Sequence, residues 1–257
     1  MSTRSSRQRA PPTIRTRAQR RRRLLALIVR HAESQHNAGT VESPDSALSD
    51  LGRHQADRLA ARLASMPIRA VYSSPYRRAI LTALPLALRL GLPVRLRAEL
   101  CEFFGDTRLS LAGFALPSAD ELSRTHAGVG PDPDGSFASA GEPWPTPGES
   151  LSDCIARQRR LVIHLRQRWT AEDDIVALFG HGLPVARFIE AWLLNEPGPA
   201  FRFVMENAAV NALRFARGTA SLLCLNDIMH LAGMPLPRGS SLTPGGGFRP
   251  EPPASYW

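Results

Sequence analysis

Four short apolar runs along the chain are separated by longer stretches in which apolar residues recur at helical spacing. Leu24–Val29, LLALIV, is apolar throughout, and Asp174–Phe179, DIVALF, is nearly so. Uninterrupted apolar runs of this length are typical of central strands in parallel sheets, which are buried on both faces. Arg69–Ser73 and Val94–Arg97 are shorter candidates. The pattern predicts four strands of one sheet.

The stretches between and after these strands predict helices. Ser49 is a suitable N-cap, and Ser150–Trp169 carries an apolar stripe opposite Arg and Gln. Strands that alternate with helices predict an α/β fold, here a three-layer α/β/α sandwich with a mostly parallel central sheet. The expected helices are 49–65, Tyr76–Leu90 with a kink at Pro85, Ser150–Trp169 and Leu183–Leu194.

Three segments lack this alternation. Residues 1–23 hold nine Arg and no Asp or Glu, and we expect a disordered Arg-rich tail there. Residues 106–148 are rich in Pro, Gly, Ser and Asp, which indicates a cap or loop insertion, with a short helix near Ala119–His126. Residues 235–257, rich in Pro and Gly, are expected to be a second disordered tail. One folded domain is therefore predicted over 24–234, and it closes with a hairpin around Gly218.

The net charge comes from the first of these segments. The 257 residues include 32 basic and 23 acidic ones, and without the nine Arg of 1–23 the numbers are equal. A nucleic acid or other anionic partner is therefore expected only through the Arg-rich tail. The three Cys form no closely spaced pair, so neither a zinc cluster nor a disulfide framework is indicated. The few, widely spaced Cys fit a reducing compartment, and we expect a cytoplasmic protein. No apolar run approaches the roughly 20 residues of a membrane span, so no membrane contact is expected.

Chemically reactive side chains follow the ends of the predicted strands. Arg30 and His31 follow the first strand, Arg78 comes shortly after the second, and Glu102 and His181 follow the other two. The carboxyl ends of adjacent parallel strands meet at one edge of a sheet, where ligands bind. Guanidinium groups match phosphate oxygens, a helix N-terminus favours anions, and neutral imidazole is a nucleophile near pH 7. The set suits a phosphoryl group.

Five motifs, in order, resemble the histidine phosphatase superfamily in its phosphoglycerate-mutase-like branch, of the broad-specificity phosphatase type. LIVRHAES resembles the signature that contains Arg-His-Gly, and LSDLGRHQA resembles the Leu-Ser-x-x-Gly-x-x-Gln-Ala segment. VYSSPYRRAILTA is similar to the Ser-Ser-x-x-x-Arg-Ala-x-x-Thr-Ala block, PGES to the start of a long helix, and LFGHG to the second-histidine motif. The resemblance covers about Leu24 to Leu225 and implies a phosphoglycerate-mutase-like fold with a catalytic domain.

The resemblance also implies a role for each matching residue. His31 is the nucleophile that becomes phosphorylated, His181 stabilises the transferring group and binds its oxygens, and Glu102 supplies the proton to the leaving oxygen. No metal or other cofactor is implied, because cationic side chains take the role that Mg²⁺ has elsewhere. The further phosphate-binding residues are Arg30, Asn37 and Arg78.

Three positions depart from the family pattern. Ala32 stands where the signature has Gly, a change of one methyl group that we expect to be tolerated. In LCEFFG only two residues separate Glu102 from the following Gly, where the family usually has three, and Glu99 is therefore kept as the alternative acid. Leu183 replaces a common second Gly after the second histidine.

These residues predict a phosphomonoester hydrolase that acts on a small phosphorylated metabolite through phosphohistidine. The first alternative is a cofactor-dependent phosphoglycerate mutase, but the family's mutases carry Glu-Arg-His-Tyr-Gly where this chain has CEFFGD, without Arg or His. The second is a non-catalytic module whose Arg-rich tail binds an anionic partner. A homodimer is left open.

Overall fold

The computed structural model describes residues 23–104, 114–134, 144, 149–194 and 203–235. Seven strands and five α-helices follow one another in largely alternating order. The strands are β1 Arg23–Arg30, β2 Ile68–Ser73, β3 Val94–Leu96, β4 Val129–Pro131, β5 Asp174–Gly180, β6 Val210–Ala216 and β7 Thr219–Asp227. The α-helices are α1 Asp50–Leu63, α2 Arg77–Leu90, α3 Ala119–Thr125, α4 Leu151–Arg168 and α5 Gly182–Leu193, with short 3₁₀ helices at Ala98–Leu100 and Met229–Leu231.

All seven strands form one sheet, in the order β4-β3-β2-β5-β1-β6-β7. The five strands from β4 to β1 run parallel, whereas β6 and β7 are antiparallel to their neighbours. Central β1 pairs with β5 on one side and β6 on the other. The mostly parallel sheet predicted from the apolar runs is confirmed, and the hairpin forms its antiparallel edge.

Helices cover both faces of the sheet. Along β1, Leu27 and Val29 enter one apolar core with residues of α1 and α2, whereas Ala26 and Ile28 enter a second core with α4 and α5. This alternation is the period of two expected of a strand buried on both faces. The three-layer α/β/α architecture is therefore confirmed.

The helix ends follow from local chemistry. The Ser49 side chain accepts a hydrogen bond from the Gly52 amide and caps α1. Gly91 adopts a left-handed conformation, with φ of 64°, and ends α2, which continues through Pro85. Ser150 forms a capping box with Asp153 at the start of α4.

One strand was missed, and parts of the predicted segments lie outside the described residues. β4, only three residues long, falls within the 106–148 insertion that the composition indicated to be a cap or loop. The short helix expected in that insertion is present as α3. Apart from Arg23 and Pro235, the predicted tails 1–23 and 235–257 are not described, so the domain boundaries stay predictions. No helix of the described part is both long and apolar enough to cross a membrane.

Gly52 allows α1 to approach the loop after β1 closely. A Cβ atom at this position would overlap the carbonyl oxygen of Glu33, two residues beyond His31. We expect Gly52→Ala to lower the free energy of unfolding by about 1–3 kcal/mol, because α1 and the loop must separate. Gly130→Ala is the control, since its Cβ would meet only the Ser123 hydroxyl at 3.6 Å. Urea denaturation of both variants measures the difference, and equal midpoints would contradict the prediction.

Candidate active site

The carboxyl ends of β1, β5 and β2 bring the predicted site residues together. Arg30 is paired with Gly180 in the β1–β5 register, and the His31 amide donates to the Gly180 carbonyl at 2.9 Å. The Ser74 amide donates to the Phe179 carbonyl at 2.9 Å. The residues that follow each strand therefore begin side by side at one edge of the sheet.

His31 is buried, and its contacts fix the tautomer of a neutral imidazole. Its Nδ1 lies 2.7 Å from the Ala32 carbonyl oxygen, which can only accept, so Nδ1 carries the hydrogen. Nε2 accepts from Nε of Arg78 at 3.2 Å. Burial, and then the positive charges of Arg78 and Arg30, lower the pKa of His31 well below its usual value. The ring therefore presents an unprotonated Nε2 near pH 7.

His181 lies beside His31 and is fully buried. The two ring centroids are 5.2 Å apart. Nε2 of His181 is 2.8 Å from the Ser74 hydroxyl, whereas Nδ1 makes no hydrogen bond in the described part of the chain and lies 3.3 Å from Oε2 of Glu102. Burial, followed by the charge of Arg78, lowers the pKa of His181 well below its usual value. Its Nδ1 is thus a buried polar atom that faces the cluster.

Arg78 connects His31 with the carboxyl group of Glu102. Besides His31, its guanidinium contacts Oε2 of Glu102 at 3.3 Å and donates to the Pro44 carbonyl at 2.5 Å. The Cζ atom of Arg78 lies over the Tyr76 ring, 4.7 Å from its centroid, in a cation–π contact. Its neighbour Arg77 is exposed. Of the two adjacent arginines, only Arg78 reaches the cluster.

The two candidate acids occupy different surroundings. Glu102 contacts both Arg78 and His181, and its side chain retains 19% exposure. Glu99 is only 1% exposed and forms an ion pair with Arg97, with Oε1 at 2.7 Å and Oε2 at 3.1 Å from the guanidinium. The shortened spacing in LCEFFG has not displaced Glu102 from the cluster, and the geometry favours it over Glu99.

Arg30 and Asn37 lie near the cluster but contact other groups. Arg30 Nη1 donates to the Met205 carbonyl, and its buried Nε has no hydrogen-bond partner in the described residues. Asn37 Oδ1 accepts from Ser34 and from Nδ2 of Asn207, at 3.1 Å and 3.3 Å. Arg30 thus retains a buried donor, whereas the contacts of Asn37 brace the loop after His31. Their phosphate-binding roles stay predictions.

The motifs did not single out three supporting residues. The Ser74 hydroxyl holds Nε2 of His181, and Tyr76 places its ring edge-on to His181 with centroids 5.1 Å apart. Asn207 donates to the carbonyl of His31 at 3.0 Å. Ser74 and Tyr76 lie inside the motif VYSSPYRRAILTA, close to Arg78, and this proximity in sequence indicates a place near the cluster. Asn207 is far away in sequence and has no comparable signal.

The backbone accommodates Ala32, which follows His31 at the position where the family signature has Gly. Ala32 is fully buried, and positive φ angles among the described non-glycine residues occur elsewhere. Its amide donates to the Thr82 hydroxyl at 2.9 Å. A methyl group therefore fits without the backbone conformation that would require glycine.

One set of side chains in the described residues has the spacing of a metal site, and it is this cluster. Single ligand atoms of His31, Glu102 and His181 lie within 4.8 Å of one another. The Arg78 guanidinium contacts two of the three, which adds positive charge where a cation would bind. Two imidazoles, a carboxyl group and guanidiniums suit an anion better.

Asp45 makes the loop next to the cluster sensitive to pH. Its Oδ1 accepts from the Arg77 amide at 2.7 Å, and burial raises its pKa from 3.8 to about 6. The carboxyl group of Asp45 therefore binds its proton more tightly in the folded chain than in the unfolded chain. Protonated Asp45 contributes stability that is fully present below pH 3.8 and is lost as the pH rises to about 6. Asp45→Asn should raise the free energy of unfolding above that range by up to about 3 kcal/mol.

Urea denaturation across this pH range tests the Asp45 prediction. The wild-type and Asp45→Asn curves should converge at the acid end and separate at the neutral end. Asp57→Asn, at an exposed position of α1, is the control. A constant difference at every pH would contradict the prediction.

The chain matches known proteins over most of its length. A model of the histidine phosphatase superfamily (branch 1) matches residues 26–228. The chain is 35% identical to a glucosyl-3-phosphoglycerate phosphatase of Mycobacterium tuberculosis over 189 residues. This match covers 69% of this chain and 78% of that protein. It is 26% identical over 211 residues to phosphoserine phosphatase 1 of Hydrogenobacter thermophilus, with 80% and 93% covered. The structure of mycobacterial glucosyl-3-phosphoglycerate phosphatase with VO3 aligns with a TM-score of 0.56 at 30% identity, over 80% of this chain and 100% of that one.

Proposed function

The chain belongs to branch 1 of the histidine phosphatase superfamily, and we propose that it is a phosphomonoester hydrolase working through a phosphohistidine at His31. The observation that carries the mechanism is the placement of the unprotonated His31 Nε2. It lies at 3.2 Å from Arg78 and next to His181, whose Nδ1 is buried and unbonded in the described residues. Donors that surround a nucleophile in this way match a phosphoryl group, whose oxygens they can hold as charge develops.

In the first half of the reaction, Nε2 of His31 attacks phosphorus in line with the ester oxygen, and the phosphorus–oxygen bond breaks. Arg78 and Nδ1 of His181 hold the equatorial oxygens, and the buried Nε of Arg30 is a further donor. Glu102, in its protonated form, gives its proton to the departing alkoxide. In the second half, water attacks phosphorus, Glu102 takes up a water proton, and the phosphorus–nitrogen bond breaks to release inorganic phosphate.

We propose a small phosphorylated metabolite as the substrate. The named relatives act on glucosyl-3-phosphoglycerate and on phosphoserine, both small alkyl phosphates. Beside the cluster, Tyr76 packs against Phe104 and Phe114, with ring centroids 5.9 Å and 6.2 Å apart. These aromatic rings would form an apolar wall next to the phosphoryl site, so a screen should include phosphates of differing polarity.

Hydrolysis is favoured over the mutase reaction. A mutase must retain a bisphosphate while it reorients, which calls for additional cations near the phosphoryl site. In the described residues, the segment after Glu102 continues with Phe103 and Phe104 rather than with basic residues, and Phe104 packs on Tyr76. Rapid interconversion of 3- and 2-phosphoglycerate would contradict this choice.

We further propose a cytoplasmic location. Cys101, Cys154 and Cys224 are free thiols, which supports a reducing compartment. Binding of a polyanion by residues 1–23 and formation of a homodimer also stay predictions. Polyanion binding should weaken steeply with salt and be lost when the tail is deleted.

Hydrolysis of p-nitrophenyl phosphate with a metal chelator present tests the proposed function. We expect the activity to be the same with and without chelator, because guanidinium and imidazole groups carry the charge stabilisation. The screen then compares kcat/KM for 3-phosphoglycerate, glucosyl-3-phosphoglycerate and phosphoserine. Loss of activity with the chelator and recovery on adding a divalent cation would contradict the mechanism.

A further inference from the structure

A buried ion pair outside the catalytic cluster holds the segment that carries Glu102. This segment runs from the 3₁₀ helix at Ala98–Leu100 into irregular chain. Nη1 of Arg157, on α4, donates to the Glu99 carbonyl at 2.5 Å, and Nη2 donates to the Glu102 carbonyl at 3.4 Å. One guanidinium therefore spans both ends of the four residues that lead to the proposed acid.

The orientation of this guanidinium is fixed from the other side. Glu149, which immediately precedes the N-cap of α4, contacts Nε of Arg157 with both oxygens, at 2.9 Å and 3.1 Å, and Nη2 with Oε1 at 2.5 Å. The Arg157 side chain is only 2% exposed. The neighbouring Gln158 adds a second donor to the Glu99 carbonyl at 2.5 Å. A planar guanidinium in which each of the three nitrogens donates a hydrogen bond sets direction as well as distance.

We propose that Arg157, oriented by Glu149, is a positioning residue that sets the reach of Glu102 toward the leaving oxygen. The proposal rests on the proposed function, because it requires Glu102 as the proton donor. A general acid acts only within hydrogen-bond reach of the oxygen that it protonates. Misplacement by about 1 Å can cost about a hundredfold in rate. The Gly-Glu-Ser motif thereby acquires a chemical role beyond starting α4.

Comparing two leaving groups separates positioning of the acid from general damage. The p-nitrophenolate of p-nitrophenyl phosphate leaves without a proton, whereas the alkoxide of β-glycerophosphate needs one. We expect Arg157→Gln to lower kcat/KM about tenfold or more for β-glycerophosphate and less than about threefold for p-nitrophenyl phosphate. Glu102→Gln should show the same selectivity more strongly. Equal losses on both substrates in folded Arg157→Gln, or no loss on either, would overturn the proposal.

Two further variants keep the test decisive. Arg166 lies on the same helix, but its guanidinium donates to the carbonyl of Trp192 and not to the segment that carries Glu102. Arg166→Gln should therefore leave the ratio of the two activities unchanged. If circular dichroism shows that Arg157→Gln is unfolded, the two activities are measured in Glu149→Gln. This variant keeps the Arg157 guanidinium but weakens the contacts that orient it. A selective loss there supports the proposal, and an unselective one overturns it.

The same series separates failure of this inference from failure of the proposed function. If Glu102→Gln is selective and Arg157→Gln is not, only the positioning role is wrong. If Glu102→Gln loses both activities equally, Glu102 is not the acid, and both proposals are wrong on that point.

Discussion

Replacing His31 with Ala is expected to reduce kcat for p-nitrophenyl phosphate by about 10⁴-fold or more, because loss of a covalent nucleophile removes the chemical pathway itself. His31 is the imidazole whose Nε2 is left unprotonated by the Nδ1 contact with Ala32 and directed toward Arg78. Even a reactive aryl phosphate should not bypass this step. Steady-state kinetics of the purified variant measure the loss.

His36→Ala is the matched control for this substitution. His36 lies five residues further along the same loop, and its side chain is exposed. A surface change of this kind should leave kcat within about twofold of the wild type. Comparable activity of His31→Ala and the wild type would remove His31 from the mechanism.

Replacing Arg78 with Gln should have the second largest effect and should change the pH profile. The guanidinium would hold phosphoryl oxygens, so we expect kcat/KM to fall by about 10²–10³-fold. Burial is the main cause of the low pKa of His31, and the charge of Arg78 lowers that pKa further by disfavouring the imidazolium form. Without that charge the pKa of His31 rises, less neutral nucleophile is present in mildly acidic solution, and the acid limb of kcat/KM moves to higher pH.

The profile of kcat/KM against pH measures both effects of the Arg78 substitution. Arg77→Gln, at the adjacent exposed position, is the control and should move neither the magnitude nor the limb. A uniform loss of activity with an unchanged acid limb would show that Arg78 does not set the protonation of the nucleophile. A shift toward lower pH would contradict the electrostatic account outright.

The sequence predicted the central elements because their signals are local. Strand β1 is apolar over its whole length and buried on both faces, and Ser49 and Gly91 mark helix ends through their own side chain or backbone freedom. β4 could not be predicted in this way. It is three residues long, contains Gly130 and Pro131, and exists because its backbone pairs with β3. Such a strand is specified by tertiary contacts rather than by its own pattern.

Family motifs and the ends of the predicted strands identified the residues of the candidate site that lie within them. They gave His31, Arg78, Glu102 and His181, which the structure brings together. They favoured Glu102 but left Glu99 open as the alternative, because excluding Glu99 depends on its ion pair with Arg97 in the folded chain. Contacts between side chains and backbone carbonyls far away in sequence, such as that of Asn207 with His31, leave no spacing signal.

The same reason explains why the role of Arg157 was not visible in the sequence. The amphipathic pattern of α4 predicts its helix and its apolar stripe. Arg157 is nevertheless buried, because Glu149 and the carbonyls of Glu99 and Glu102 satisfy its guanidinium. A charged residue on a predicted helix is usually solvated, and only the packed structure reveals the exception.

The stereochemistry at phosphorus tests the central claim most directly. A phosphomonoester made chiral by isotopic and sulfur substitution is hydrolysed in isotopically labelled water, and the configuration of the released thiophosphate is determined. Attack by His31 followed by attack of water comprises two in-line displacements, so the account predicts overall retention. Overall inversion would mean that water attacks the substrate directly, and it would contradict a phosphohistidine intermediate.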